Sequence, residues 1–292
     1  MDVRDILGLW WTVPASLALI GYLCSLAGLT RPQRAVWVTA RVVEVHQPAH
    51  GDSKDPGIPV TVVFHDPATG REFRMRHAGK HGFRVEAAWV GQTFPARYPR
   101  GRPERFRLMP DLVGETRGLG GPNCLVFLLL VGLVVEAFFR WGWPAGMICV
   151  GGLLLLIAAI SRDIQHARAR AALLDQAIAV PGRVVAVTKD VYTDGEGDEI
   201  VNHAPVVVFT TRDGRQVTVL CREGIPQPSQ SHGRELTIHY APTDPSVFTP
   251  DLDHDRRDRA SGVRFIAGLV LAGLTAVVLG LIYLDPAWPI TW

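Results

Sequence analysis

The chain has 292 residues, 48% of them hydrophobic, and its 30 Lys and Arg against 28 Asp and Glu leave a formal net charge of +2. So even a balance excludes a dedicated nucleic-acid binder, which needs a basic surface, and four cysteines in this length exclude a disulfide-stapled scaffold. The apolar residues stand in blocks, which is the pattern of a membrane protein rather than a soluble one.

Leu9 to Leu29 runs for about 21 residues without a charge, enough to cross a core of about 30 Å at about 1.5 Å per residue. No basic stretch precedes it and no small-residue cleavage site follows, so residues 1–30 are expected to hold a retained first transmembrane helix. Residues 31–122 then read as a soluble β domain. Its strands follow from β-branched alternation at Val36 to His46, Ile58 to His65, Glu72 to His77, Thr93 to Tyr98 and Arg105 to Leu108. Asp66-Pro-Ala-Thr-Gly70 is a hairpin turn in which glycine supplies the positive φ.

Residues 123–160 are expected as a transmembrane hairpin, helices 2 and 3. Cys124 to Phe139 and Trp143 to Ile160 are apolar and parted only by Arg140-Trp141-Gly142, a charge, an aromatic and a glycine suited to a turn at a membrane surface. Residues 161–180 extend the third span as a helix, with Arg162, Arg168 and Arg170 placed for anionic headgroups and Leu173, Leu174 and Ile178 for packing. A second β domain fills residues 181–262, with strands at Arg183 to Thr188, Pro205 to Thr211, Gln216 to Arg222, Glu235 to Tyr240 and Val247 to Thr249. Residues 263–292 carry the fourth transmembrane helix, Phe265 to Leu284, and the C-terminus.

The two β domains are copies of one unit. Gly91, Tyr98, Pro103 and Phe106 recur about 142 positions on as Gly233, Tyr240, Pro245 and Phe248, and Arg41-Val-Val-Glu-Val45 recurs as Arg183-Val-Val-Ala-Val187. The fold class is therefore an α+β membrane protein: four transmembrane helices and two homologous, small, all-β soluble domains on the same side, each barrel-like with about five strands, since closure protects the edges of so small a sheet.

Arg41-Val-Val-Glu-Val45, Pro59-Val-Thr-Val-Val-Phe64, Gly70 and Ala96-Arg-Tyr98-Pro-Arg-Gly-Arg-Pro103, with Pro205-Val-Val-Val-Phe209 and Ile238-His-Tyr240-Ala-Pro-Thr-Asp-Pro245 as a second set, resemble the bacterial membrane-anchored domain-of-unknown-function family 3592, here as a tandem duplication covering nearly the whole chain. The resemblance implies membership and no activity or catalytic residues.

Trp10, Trp11, Trp141, Trp143, Trp288 and Trp292 fall on the side of the termini, as an interfacial belt does, whereas Arg31, Arg34, Arg117, Arg168, Arg256, Arg259 and Arg264 lie at the domain side against Arg4 and Arg140 opposite. This asymmetry predicts a multi-pass protein of the bacterial inner membrane with both domains cytoplasmic and the termini outside. The 27 arginines against 3 lysines fit a GC-rich bacterial genome. Cys24, Cys124 and Cys149 lie in spans and Cys221 is alone in its domain, so no intradomain disulfide forms.

Few residues stand out for chemistry. There is no nucleophile, zinc-protease, P-loop or dinucleotide motif, and no catalytic, cofactor-binding or metal-binding residue is assigned. His77 and His81 are two ligands without support, His203, His232 and His239 have no recognisable spacing, and Tyr98 and Tyr240 read as strand-end anchors. Asp194, Glu196, Asp198 and Glu199 form an acidic hairpin tip without the full calcium-loop pattern, and are the candidate interaction residues. Glu136 and Arg140 are an i,i+4 pair at the membrane interface. Gly268, Ala272, Ala276 and Gly280 make a stripe suited to helix packing or a homo-oligomer seam. The expected function is a non-enzymatic scaffold or sensor presenting two tandem β modules to a protein or envelope partner, beside the bilayer itself. The alternatives are a transporter or channel, or an accessory subunit of one, and a membrane-bound enzyme with its site between the two domains.

Overall fold

The computed structural model describes residues 10–51, 57–78, 83–109, 117–161, 163–193 and 199–284. The protein is α+β and divides into two compact units, one helical, from Met1–Arg34, Gly114–His166 and Arg259–Trp292, and one β-rich, from Ala35–Val113 and Ala167–Asp258.

The helices in chain order are α1 (Thr12–Leu26), α2 (Arg31–Arg34), α3 (Gly120–Ile160), α4 (Asp163–Leu174) and α5 (Leu252–Leu284). Among the described residues, three helices, within Thr12–Arg34, Gly120–Leu174 and Leu252–Leu284, are long and apolar enough to cross a membrane. Four spans were expected. The difference lies at Gly142, whose φ of 78° and ψ of −179° leave the helical region, so α3 is one apolar stretch made of two helices that meet at a one-residue kink. α1 packs on the first segment: Tyr22 donates to Asn123 Oδ1 at 2.8 Å, and a Cβ on Gly21 would stand 2.5 Å from the Pro122 ring. α5 packs on the second, where a Cβ on Gly151 would stand 2.5 Å from the Gly273 carbonyl and one on Gly280 2.6 Å from the Pro144 carbonyl. Backbones approach this closely only where side chains are missing. The expected helix from Ser161 to Ala179 ends early, at Leu174, because Ile178 already begins a strand.

The first repeat supplies β1 (Val36–Val45), β2 (Val60–His65), β3 (Glu72–His77), β4 (Ala87–Trp89), β5 (Thr93–Tyr98) and β6 (Arg107–Leu108). The second supplies β7 (Ile178–Thr193), β8 (Glu199–Thr210), β9 (Gln216–Leu220), β10 (Glu235–Ala241) and β11 (Asp244–Thr249). Two barrel-like antiparallel sheets result, ordered β3-β2-β1-β5-β6 and β11-β10-β7-β8-β9-β4. The shared topology carries a shared irregularity: the register shifts between Val42 and Glu44 in one sheet and between Val184 and Ala186 in the other. A bulge bends its strand and increases twist, which curls a short sheet. The repeated glycines serve it. Gly91 and Gly233, at φ 95° and 77°, donate their N–H groups to the carbonyls of Val42 and Val184 at 2.8 and 2.9 Å.

β4 was not anticipated, and it belongs by sequence to the first repeat but by pairing to the second sheet, where Ala87, Ala88 and Trp89 oppose Val219, Thr218 and Val217. Because successive side chains on a strand face opposite ways, Ala88 enters the first core with Val42, Val62 and Phe64, while Ala87 and Trp89 pack in the second with Val184, Phe209 and Ile238.

Two predictions follow from these contacts. Trp89→Ala, which removes side-chain area from the second core, is expected to cost about 2–4 kcal/mol, and hydrogen exchange in β2 and β8 should rise together during denaturant unfolding; two separate transitions would contradict a common core. Gly273→Leu is expected to lower the thermal stability of the purified protein through its clash with α3, whereas Gly268→Leu, where nothing lies within 4 Å of an added Cβ, should be tolerated.

Candidate functional site

Charged residues of the β-rich unit gather beside the β4–β9 junction, Asp255 buried and the others largely exposed. Glu86 immediately precedes β4, and its carbonyl accepts the Leu220 N–H at 2.8 Å, which places its carboxylate 3.3 Å from Arg222 Nε. From α4, Arg170 donates to Asp255 Oδ1 and to the Phe248 carbonyl, both at 2.8 Å. The Asp251 carboxylate accepts the N–H groups of Asp253 and His254 at 2.9 and 3.0 Å, caps the start of α5, and is held below the usual carboxylate range, chiefly by the His254 N–H. His254 in turn lies 3.9 Å from Glu223. Glu86, Arg170, Arg222, Glu223, His254 and Asp255 line a cleft of about 300 Å³ with Cys221 and Ser246 at its wall.

Cys221 brings a thiol to the cleft wall, and its surroundings silence it. The residue is 3% exposed and desolvation pushes its thiol up to about 12, so no appreciable thiolate exists near neutral pH. The ionisable side chains are engaged with one another, Arg170 with Asp255, Arg222 with Glu86 and His254 with Glu223. The arrangement is chemically a clasp, in which charges from α4, α5, the second sheet and the first repeat neutralise one another. A second cleft, of about 590 Å³, lies between β10 and the start of α5, lined by Arg234, Glu235, His239, Asp253 and Arg256. Among the described residues, no three His, Cys, Asp or Glu side chains are grouped to hold a metal ion.

The residues singled out from sequence are placed as follows. Glu136 and Arg140 form the expected pair, Nε to Oε1 at 3.0 Å, and the Trp10 indole N–H adds a bond to Glu136 Oε2 at 3.2 Å. Asp194, Glu196, Asp198 and His81 lie outside the described residues; Glu199 is exposed where β8 begins. His77 is buried, its Nε2 3.0 Å from the Phe83 carbonyl, and burial lowers its pKa. Of the α5 stripe, Ala276 and Gly280 are covered, but Gly273 completes the contact with α3, while Ala272 is exposed and Gly268 touches nothing. A contact face on a helix advances by three and four residues, which a strict four-residue stripe does not follow.

Tyr98 and Tyr240 are anchors of the β2–β3 and β8–β9 turns, used with opposite polarity. The Tyr98 hydroxyl donates to Asp66 Oδ1 at 2.8 Å, and the Tyr240 hydroxyl accepts the Arg212 N–H at 2.9 Å. Each ring also packs on its repeat's phenylalanine, Phe64 or Phe209, with centroids 5.7 and 5.5 Å apart. Desolvation, aided by Asp66, raises the Tyr98 hydroxyl to about 12. Asp66 is held below its ordinary value by bonds from Thr69, Tyr98 and Ala68. Sequence reading missed the role of Glu86, Arg170 and Asp255, which are about 85 residues apart in chain and carry no local pattern.

Tyr98→Phe is expected to destabilise the β-rich unit by about 1–2 kcal/mol and to alter its acid limb. The carboxylate at Asp66 titrates lower in the folded than in the unfolded chain, so its contribution is present above its ordinary value near 3.8 and fades as pH falls through the folded value. Acid denaturation of Tyr98→Phe should therefore show a shallower loss over that window than the parent protein; an unchanged profile would remove the hydroxyl from the account. No protein-family model, no curated protein and no solved structure matches the chain.

Proposed function

We propose that the protein is a multi-pass protein of a bacterial inner membrane whose two β repeats act as one cytoplasmic binding module, a scaffold or sensor for a protein partner and not an enzyme. The observation that supports this reading most is β4, whose alternate side chains enter both cores and make the two repeats a single body. A module of that kind presents a fixed geometry to a partner, which two independently tethered domains would not. The reading takes α3 as two spans meeting at Gly142, giving four in all, and keeps the chain within its resemblance to domain-of-unknown-function family 3592 as a tandem duplication.

The surface offered to a partner is the far end of the β7–β8 hairpin. β10 pairs β7 only through Arg183, and β9 pairs β8 only from Val206, so beyond the contact of Gly51 with Val187 the ribbon pairs with no third strand among the described residues. Val191 and Val201, paired across it, are each 40% exposed. Apolar residues on a two-stranded ribbon are better buried against something else. A transport role gains little from Glu136, which Arg140 and Trp10 already engage, and catalysis at the repeat junction gains little from a cleft whose charges are paired.

The topology is tested by a membrane-impermeant maleimide on Glu72→Cys and Lys189→Cys, both exposed sites, in intact and in lysed cells. Labelling only after lysis is expected; labelling in intact cells would place the module outside. A photocrosslinker at Val191 or Val201 should yield the same discrete adduct, absent from the exposed control site Thr39; adducts indistinguishable from the control would remove the ribbon as the contact surface.

A further inference from the structure

The first repeat holds the second sheet at two places, and the second is built on histidine. Beyond the end of β10, the free edge of β7 at Val187 is taken by the loop after β1: Gly51 donates its N–H to the Val187 carbonyl at 2.8 Å, and the Val187 N–H donates to His50 Nδ1 at 3.2 Å. Gly51 has φ of 78°, a conformation that lets the loop turn both groups onto one residue. The His50 ring lies on the ring of His232, centroids 4.0 Å apart and planes 30° from parallel. His232 sits one residue before Gly233, the glycine pinned to the bulge in β7.

We propose that this strap is an acid-released latch between the two β repeats. The bond from Val187 requires an Nδ1 that carries no proton, because a backbone N–H has nothing to donate to otherwise. Protonation at Nδ1 turns the acceptor into a donor facing a donor, and protonation of both stacked rings sets two cations face to face. The titratable and charged residues on the elements that meet at the latch are Lys189 and Asp190 on β7, His203 opposite Lys189 on β8, and Arg234 and Glu235 beyond His232; on its own loop His46 is engaged 2.8 Å from Thr61 Oγ1. The docked strap thus binds fewer protons than the released one. Docking strengthens as pH rises through the imidazole range and weakens as it falls. Release would uncover the β7 edge at Val187 while leaving the β4–β9 pairing, which contains no titrating group, in place.

The test is hydrogen exchange on the full-length protein in detergent micelles at pH 7.5 and 5.5, corrected for intrinsic rates. The amides of Gly51 and Val187 should lose protection by up to about tenfold per pH unit, the limit for one proton, with Val217 and Val219 unchanged. His50→Asn places a non-titrating oxygen where Nδ1 stands and should keep Val187 protected at both pH values. His232→Phe retains the stacked ring without its charge and should reduce the response. Equal protection of the parent protein at both pH values, or an undiminished pH response in both variants, would overturn the latch.

Discussion

Three residues, Ala87–Trp89, hold the β-rich unit together, because a strand faces two ways and these face two different cores. Each repeat is too small to bury much surface by itself. A sheet of five short strands also leaves an edge at which backbone groups need partners. β4 answers both needs at once: it occupies the open edge of β9 and it adds Ala87 and Trp89 to the second core without withdrawing Ala88 from the first. The ion pair of Glu86 with Arg222 and the strap at Val187 reinforce a junction whose main bond is backbone to backbone.

The two repeats are therefore not equivalent halves. β3 and β9 hold the same place in their repeats, yet β3 alternates Glu72, Arg74 and Arg76 outward, whereas β9 has Thr218 and Leu220 there, 5% and 3% exposed. Charged side chains on an edge strand discourage further pairing, so the first repeat is the end of the array and the second is its covered partner. The position equivalent to β4 in the second repeat is a short 3₁₀ turn, Pro228–Gln230, which offers no strand to a third unit. The array closes at two.

Much of this was legible in the sequence. The ten strands read from β-branched alternation are all present, as is the turn at Gly70, and the repeat register located Gly91, Gly233, Tyr98 and Tyr240 before their bonds to bulges and turns were seen. What escaped was what depends on distant neighbours. Ala-Ala-Trp has no strand signature of its own and becomes one only because β9 lies beside it. That the break in α3 takes one residue rather than a longer turn could not be told from the sequence, since a single glycine dihedral makes it. The hairpin of β7 and β8 ran longer than its apolar core suggested, because its outer residues pair across the ribbon, Lys189 with His203 and Val191 with Val201, without a buried face to mark them in the sequence. The clasp at Arg170 and Asp255 joins elements with no common motif.

The shared strand also sets an order of events during synthesis. β4 emerges early, but its partner Val219 follows about 130 residues later, after the whole of α3. At elongation rates of about 5–20 residues per second, that interval is on the order of ten seconds. The five strands of the first sheet are all synthesised before it, whereas Ala87 and Trp89 wait throughout it for the core they enter. The nascent first repeat is thus the stage at which this chain is most exposed to misassembly, with an apolar strand that has no partner yet.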